Sequence, residues 1–179
     1  MRISQTKSGR RAQIRAHETM ILFTVGGTTF AIAASAVEEI REVSGLQEFN
    51  FGSMHPKLAK VTRVLERDNG PCFVVDGGAH FHVDSSPSRV MVLRHAPAAV
   101  LVDAIDRMQD IHVLQELPEA FSGEERNWYR GLTALDQAVV PVVDPEGFLS
   151  LEELTLLETA QASADTRSAS SDNHGAQVQ

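Results

Sequence analysis

Residues 21–43 read ILFTVGGTTFAIAASAVEEIREV. Two short apolar runs, 21–25 and 28–32, flank Gly26-Gly27. Paired glycines between β-type runs make a tight hairpin, because glycine takes a positive φ without steric cost. Beyond the hairpin, Val37, Ile40 and Val43 recur at a spacing of three among Glu38, Glu39, Arg41 and Glu42. That spacing predicts a short amphipathic helix over 34–43.

Further apolar runs lie at 60–66, 71–76, 80–83, 89–94, 98–103, 111–114, 129–135 and 139–144. Turn residues separate many of them, most clearly Asp68-Asn69-Gly70-Pro71. With the opening hairpin this makes about ten short strands, a pattern that predicts one or two small β-barrels. A second helix is expected over 150–161. Ser150 and Glu153 form a capping box, and Leu151, Leu154 and Leu156 or Leu157 form its apolar stripe. A faint internal echo runs through the chain. Val74-Val75-Asp76 precedes Gly77-Gly78, and Val142-Val143-Asp144 precedes Pro145-Glu146-Gly147. It hints at two similar units.

The chain has 179 residues and a net charge of −8, with 42% hydrophobic residues. Such a chain buries a sizeable core without cross-links. The acidic balance argues against nucleic acid as a partner, since phosphate contacts need a basic surface. Cys72 is the one cysteine, so no intrachain disulfide forms. No run is long and apolar enough for membrane insertion, and residues 1–19 lack the apolar core of a signal peptide. A cytoplasmic protein is the expectation. Residues 1–19, carrying Arg2, Lys7, Arg10, Arg11 and Arg15, are expected to form a flexible basic arm. Residues 161–179, rich in Ala, Ser, Asp, Gln and Asn, are expected to form a disordered tail, because they offer too little apolar surface to offset ordering entropy.

Signatures of catalysis are missing from the sequence. It holds no phosphate-cradling glycine loop and no Gly-x-Ser-x-Gly elbow. Cys72 lies in an apolar strand, where a free thiol acts as a small hydrophobe. Asp76, Asp103, Asp106 and Asp144 sit at strand ends, where Asp commonly bonds the amides of a following turn. Trp128 and Tyr129 are core or rim residues, or line a pocket. His80 and His82 would share one face of a strand over 80–83. With His55, His95, His112 or Asp84 they could meet a metal, yet no standard metal-ligand spacing is present. The expectation is a binding or scaffolding protein without cofactor or metal.

Three stretches carry a resemblance. Residues 21–43 resemble the opening of the CheW family of chemotaxis adaptors, with Val37, Glu39 and Ile40 filling its Val-x-Glu-Ile pattern. Residues 130–160, RGLTALDQAVVPVVDPEGFLSLEELTLLETA, resemble its ending through Gly131, Leu135, Val-Val-Asp at 142–144 and Leu149. AAVLVDAIDRMQDI at 98–111, followed by Leu117-Pro118, is similar to its valine-rich strand. The resemblance spans about 18–160. It implies a mostly β fold of two interlocked five-stranded SH3-like barrels in a domain over 20–160. It also implies a non-catalytic adaptor that couples the cytoplasmic tips of methyl-accepting chemoreceptors to the regulatory domain of a CheA-type histidine kinase, at membrane-bound receptor arrays. The receptor face implied is Val37, Glu39, Ile40 and Arg67; the kinase face is Leu117, Pro118 and Phe121. The chain departs from the family pattern at 48–60 and around Arg67, where Asp68 replaces a glycine. An inhibitory paralogue binding only the kinase, and a small β-barrel ligand- or metal-binding protein, are the alternatives.

Overall fold

The computed structural model describes residues 13–68 and 70–171, with side chains from His17 to Ser163. The strands are β1 (Gln13–Val25), β2 (Thr28–Ala33), β3 (Val37–Glu42), β4 (Gln47–Glu48), β5 (Val61–Arg67), β6 (Gly70–Asp76), β7 (Arg89–Leu93), β8 (Ala98–Val102), β9 (Ala104–Gln115), β10 (Tyr129–Leu135) and β11 (Ala138–Val143). A short helix α1 (Gly77–Phe81) follows β6, and α2 (Leu151–Ser171) follows β11. Five strands close a barrel in the order β1-β2-β11-β10-β9, and six form a sheet ordered β3-β7-β8-β6-β5-β4.

The second sheet is the first one repeated. β1 pairs antiparallel with β2 and β9, β10 with β9 and β11, and β11 runs parallel to β2. The same pattern relates β7 to β8 and β3, β5 to β4 and β6, and β6 to β8, the last again parallel. β3 and β4 together take the place of β9, broken at a turn where Gly45 has φ +83°. The sheet therefore curls round on itself through the chain, where two five-stranded barrels were expected. The chain is thus two copies of one five-strand unit, and each sheet takes two strands from one copy and the remainder from the other. The Val-Val-Asp echo marks the same place in both. Asp76 accepts from the Ala79 amide at 3.0 Å and Asp144 from the Glu146 amide at 3.0 Å, each capping a short helical turn.

Alternation along the strands sorts side chains into three layers. Met20 and Leu22 of β1 fill the closed barrel with Ile111, Leu114, Val140 and Val142. Cys72 and Val74 of β6 fill the second sheet with Val90, Val92 and Leu101. Between the sheets Ile21, Phe23, Val25, Phe30 and Ile32 meet Phe51, Phe73, Val75, Met91 and Val100 in one shared core. Full burial of each phenylalanine there is worth roughly 1.5–3 kcal/mol. α2 covers the layer through Leu157 and Ala160. Its capping box forms as expected, with the Glu153 amide donating to Ser150 Oγ and the Ser150 amide to Glu153 Oε2. Leu151 stands outside the stripe, exposed.

Asp103 clasps the units together. Its carboxylate accepts from the Gly26 amide at 2.7 Å and the Ser86 amide at 2.8 Å. A Cβ on Gly26 would lie 2.7 Å from the Asp84 carbonyl oxygen, so only glycine lets the β1–β2 turn seat there.

Four expectations need correction. Residues 34–43 are not a helix: Ala34–Ala36 make one 3-10 turn, and Val37–Glu42 is the strand β3. The cause is a bulge. Val37 faces Leu93 and Ile40 faces Met91, with an extra residue between. An inserted residue puts positions three apart on one face, imitating helical spacing. Residues 80–83 are not a strand, because Asp76 caps α1 and a Cβ on Gly77 would overlap the Leu101 carbonyl oxygen, which selects a Gly-Gly helix start there. β1 begins at Gln13, so 13–19 belong to the barrel; Arg2, Lys7, Arg10 and Arg11 lie outside the described residues. α2 runs to Ser171, through the first part of the expected tail.

The strand exchange makes each copy depend on the other. Fragments 1–86 and 87–179, separated in the α1–β7 connection, should lack β-sheet signal apart and regain it on mixing. Far-UV circular dichroism reads this; a fragment folded alone would contradict the exchange.

Candidate functional site

Two surfaces collect the residues singled out by sequence. The first lies along β3. Val37 is 6% exposed and sits in the shared core; Ile40, beside it on the same face, is 40% exposed. The charged side chains of β3 lie on its other face, toward Cys72. Glu39 pairs with Arg41 at 2.7 Å, and Glu38 with Arg67 at 2.6 Å. The Arg41 guanidinium holds the Glu39 carboxyl below the usual carboxylate range. Arg67 comes from the far end of β5, so the Glu38–Arg67 pair spans the two ends of the curled sheet. It also lies over Cys72, whose thiol burial pushes up and keeps protonated. The structure thus brings Glu39 and Arg67 to one face of β3, toward Cys72, while Val37 and Ile40 lie on the other face, toward the shared core. Glu38 and Arg41 complete the charged face. The bulge that places them leaves no signature separable from helical spacing.

The second surface is the connection between β9 and β10. Leu117 and Pro118 are half-buried, and the Phe121 amide donates to the Pro118 carbonyl at 3.0 Å. Phe121 packs edge-on against Tyr129, with ring centroids 5.8 Å apart. Leu117 turns into a cleft of about 1160 Å³ that Trp128, Tyr129, His80 and His82 also line. Burial, with Glu125 nearby, pushes the Tyr129 phenol up to about 12. Lys57–Glu152 and Lys60–Glu153 pairs, at 3.0 and 2.9 Å, fix the start of α2 along one wall. No short-range pattern in the sequence announces this cleft, because its walls come from five separate segments.

The two histidines part company. His80 is 2% exposed, packed against Phe81, Trp128 and Phe148, and neither ring nitrogen has a partner. His82 ends α1 in the left-handed region, exposed, with its ring stacked on Trp128. They do not share a strand face, and among the described residues no three His, Cys, Asp or Glu side chains stand together to hold a metal ion. Asp76, Asp103 and Asp144 bond backbone amides, while Asp106 pairs with Arg107.

Burial, reinforced by the Lys60 and His82 charges, lowers the His80 pKa to about 3. In the unfolded chain the same group titrates near 6.5. The unfolded state therefore binds more protons between those values, and stability present above pH 6.5 is lost as pH falls toward 3. At pH 5 the loss from this one group is about 2 kcal/mol. His80→Phe should flatten the decline in melting temperature between pH 7 and 5; calorimetry of both proteins checks it, and parallel declines would refute it.

The sequence profile described as CheW-like domain matches residues 19–153. No curated protein matches the sequence significantly. The crystal structure of scaffolding protein TtCheW from Thermoanaerobacter tengcongensis superposes with TM-score 0.60 at 12% identity, over 78% of this chain and 90% of that one. At that identity the likeness is one of fold. Among the described residues, no helix is long and apolar enough to cross a membrane. A profile that runs from within β1 to the first turn of α2, across both sheets, makes the chain a member of the CheW-like domain family.

Proposed function

We propose that this protein is a non-catalytic adaptor that couples chemoreceptors to a CheA-type histidine kinase in the cytoplasm, at a receptor array. The observation that carries the reading is Ile40, an aliphatic side chain left 40% exposed on a bulged edge strand whose other face carries two ion pairs. A free strand edge with an exposed apolar side chain on one face and charges on the other suits a helical receptor tip laid along it: the apolar contact supplies affinity and the charges fix register. Glu39 and Arg67 supply those charges, with Val37 anchoring the strand in the shared core. Leu117, Pro118 and Phe121 are the kinase-facing group. An aromatic held in a surface connection is the kind of anchor that concentrates binding energy.

Ile40→Asp and, separately, Glu39→Arg should weaken binding of a receptor-tip fragment about tenfold or more. Neither should move the melting temperature by more than about 2 °C, because exposed positions and exposed ion pairs contribute little to stability. Titration calorimetry and thermal melts check both; intact affinity in both variants would sink the receptor face.

Phe121→Ala removes an anchor without opening the core. It should raise the dissociation constant for the kinase regulatory domain about tenfold or more with unchanged far-UV circular dichroism. Isothermal titration against each CheA-type regulatory domain of the same genome is the direct test. Binding to none would reject the coupling role, and binding to a kinase with no receptor affinity would mark an inhibitory adaptor instead.

A further inference from the structure

The cleft beside Trp128 carries more acid than its own bases neutralise. Lys57, Lys60 and Arg130 are held by Glu152, Glu153 and Glu18 in turn. Glu116, Glu124 and Glu146 also line it and have no ion-pair partner among the described residues, while the Arg126 guanidinium donates to the Phe121 carbonyl. To reach either lysine an anion must displace a glutamate, so the local field selects a cation. The acids do not converge on one point, since among the described residues no three His, Cys, Asp or Glu side chains stand together to hold a metal ion. Carboxylates set apart suit positive charges set apart along one chain.

The floor of the cleft gives a second, independent indication. His80 is 2% exposed, lines the cleft, and has no hydrogen-bond partner at either ring nitrogen. Native structures pair the great majority of buried polar atoms. Burial lowers the His80 pKa to about 3, so at neutral pH the ring is uncharged and one nitrogen keeps a lone pair that accepts from an ammonium N–H. Trp128 packs on that ring with centroids 4.5 Å apart, and Tyr129 lines the same cleft. Aromatic faces attract ammonium groups, and methylenes laid on them gain by leaving water. His82 is exposed and stacked on the half-buried Trp128, and side chains so placed turn aside readily to admit a ligand. At about 1160 Å³ the cleft exceeds the ~300–1,000 Å³ of common small-ligand pockets, which leaves length for an extended chain.

We propose that this cleft binds a linear polyamine, a methylene chain carrying two or more ammonium groups, with one ammonium donating to His80 beside Trp128 and the others set against the carboxylates of Glu116, Glu124 and Glu146. Leu117 lines the same cleft, so the bound chain lies against the β9–β10 connection. The site needs no second protein and so stands apart from the coupling role.

Trp128 is the chain's single tryptophan and reports directly on occupation of the cleft. The experiment titrates the full chain with spermidine in about 0.15 M salt, where exposed charges act over only ~8 Å, and reads tryptophan fluorescence and heat. A saturable change is expected, with a dissociation constant below about 1 mM. Glu116→Gln with Glu124→Gln should weaken binding about fivefold. His80→Phe keeps an aromatic ring, removes both nitrogens, and should weaken it about tenfold; the exposed glutamates carry the test should that variant not fold. Glu66 and Asp68 are exposed outside the cleft, so Glu66→Gln with Asp68→Asn removes the same charge elsewhere and should leave the affinity unchanged. The absence of any saturable change overturns the proposal. Equal weakening by the two charge-removing pairs overturns it as well, because it marks non-specific attraction to an acidic protein. An acetylated, amidated trilysine peptide of the same charge, binding about tenfold tighter than spermidine, overturns it too and assigns the cleft to a basic segment of a partner protein.

Discussion

The apolar layer between the two sheets is the constraint on which the rest depends. Phe23, Phe30, Phe51, Phe73 and Phe148 all lie in it, and both sheets contribute. A small barrel normally buries only its inside. Here the strands facing the layer are apolar on both faces, most completely in β6 and β8, which read CFVV and AAVLV across their buried positions. Those two strands pair in parallel, as do β11 and β2, and parallel pairs are characteristically buried on both sides. Exchange of strands between the two copies is the covalent counterpart of the same layer. Neither sheet can close from one copy's strands, so neither inner layer forms without the shared one.

Much of this was legible in the sequence where the cause was local. Gly26-Gly27 seats a hairpin turn, Ser150 and Glu153 cap α2, and Val-Val-Asp marks the same strand end twice. The misreadings arose where a distant partner decides. Residues 104–110, AIDRMQD, fall between the apolar runs 98–103 and 111–114. They become strand because β1 pairs with them from Ile105 to Asp110. Val37 and Ile40 looked helical because a bulge on one strand adds a residue against β7. At 80–83, His-Phe-His-Val alternates like a strand, but the close approach of Gly77 to the Leu101 carbonyl fixes a helical turn before it. In each case local periodicity was real and its cause lay elsewhere in the fold.

The candidate surfaces were only partly legible for the same reason. Glu39, Ile40 and Arg67 could be named from a family pattern, but the approach of Arg67 to β3 needs the second sheet to curl until β3 and β5 come together, and Ile40 faces the other way. Glu38, the residue that ties Arg67 there, occupies the bulge and has no counterpart in a regular strand. Leu117 and Phe121 share one connection yet diverge, Leu117 into the cleft and Phe121 onto Tyr129. Residue type alone does not separate those destinations.

Duplication explains why the two faces of such a protein need not be alike. The equivalent connections in the two copies are 49–60, between β4 and β5, and 116–128, between β9 and β10. The first turns Phe51 and Leu58 fully into the shared core, with Phe49 packed on Phe51 at 4.2 Å. The second keeps its aromatic residues at the rim and leaves a cleft beneath. The strands before them differ in the opposite sense. β9 is unbroken, while its counterpart splits at Gly45 into β3 and β4 and leaves Ile40 at a free edge. Each copy has therefore spent one element on the core and left the other at the surface, a different one each time. A symmetric duplicate would offer the same site twice and could not distinguish two partners. The asymmetry leaves an edge strand exposed in one copy and a cleft beside the corresponding connection of the other, so a partner fitted to one does not find it repeated in the other.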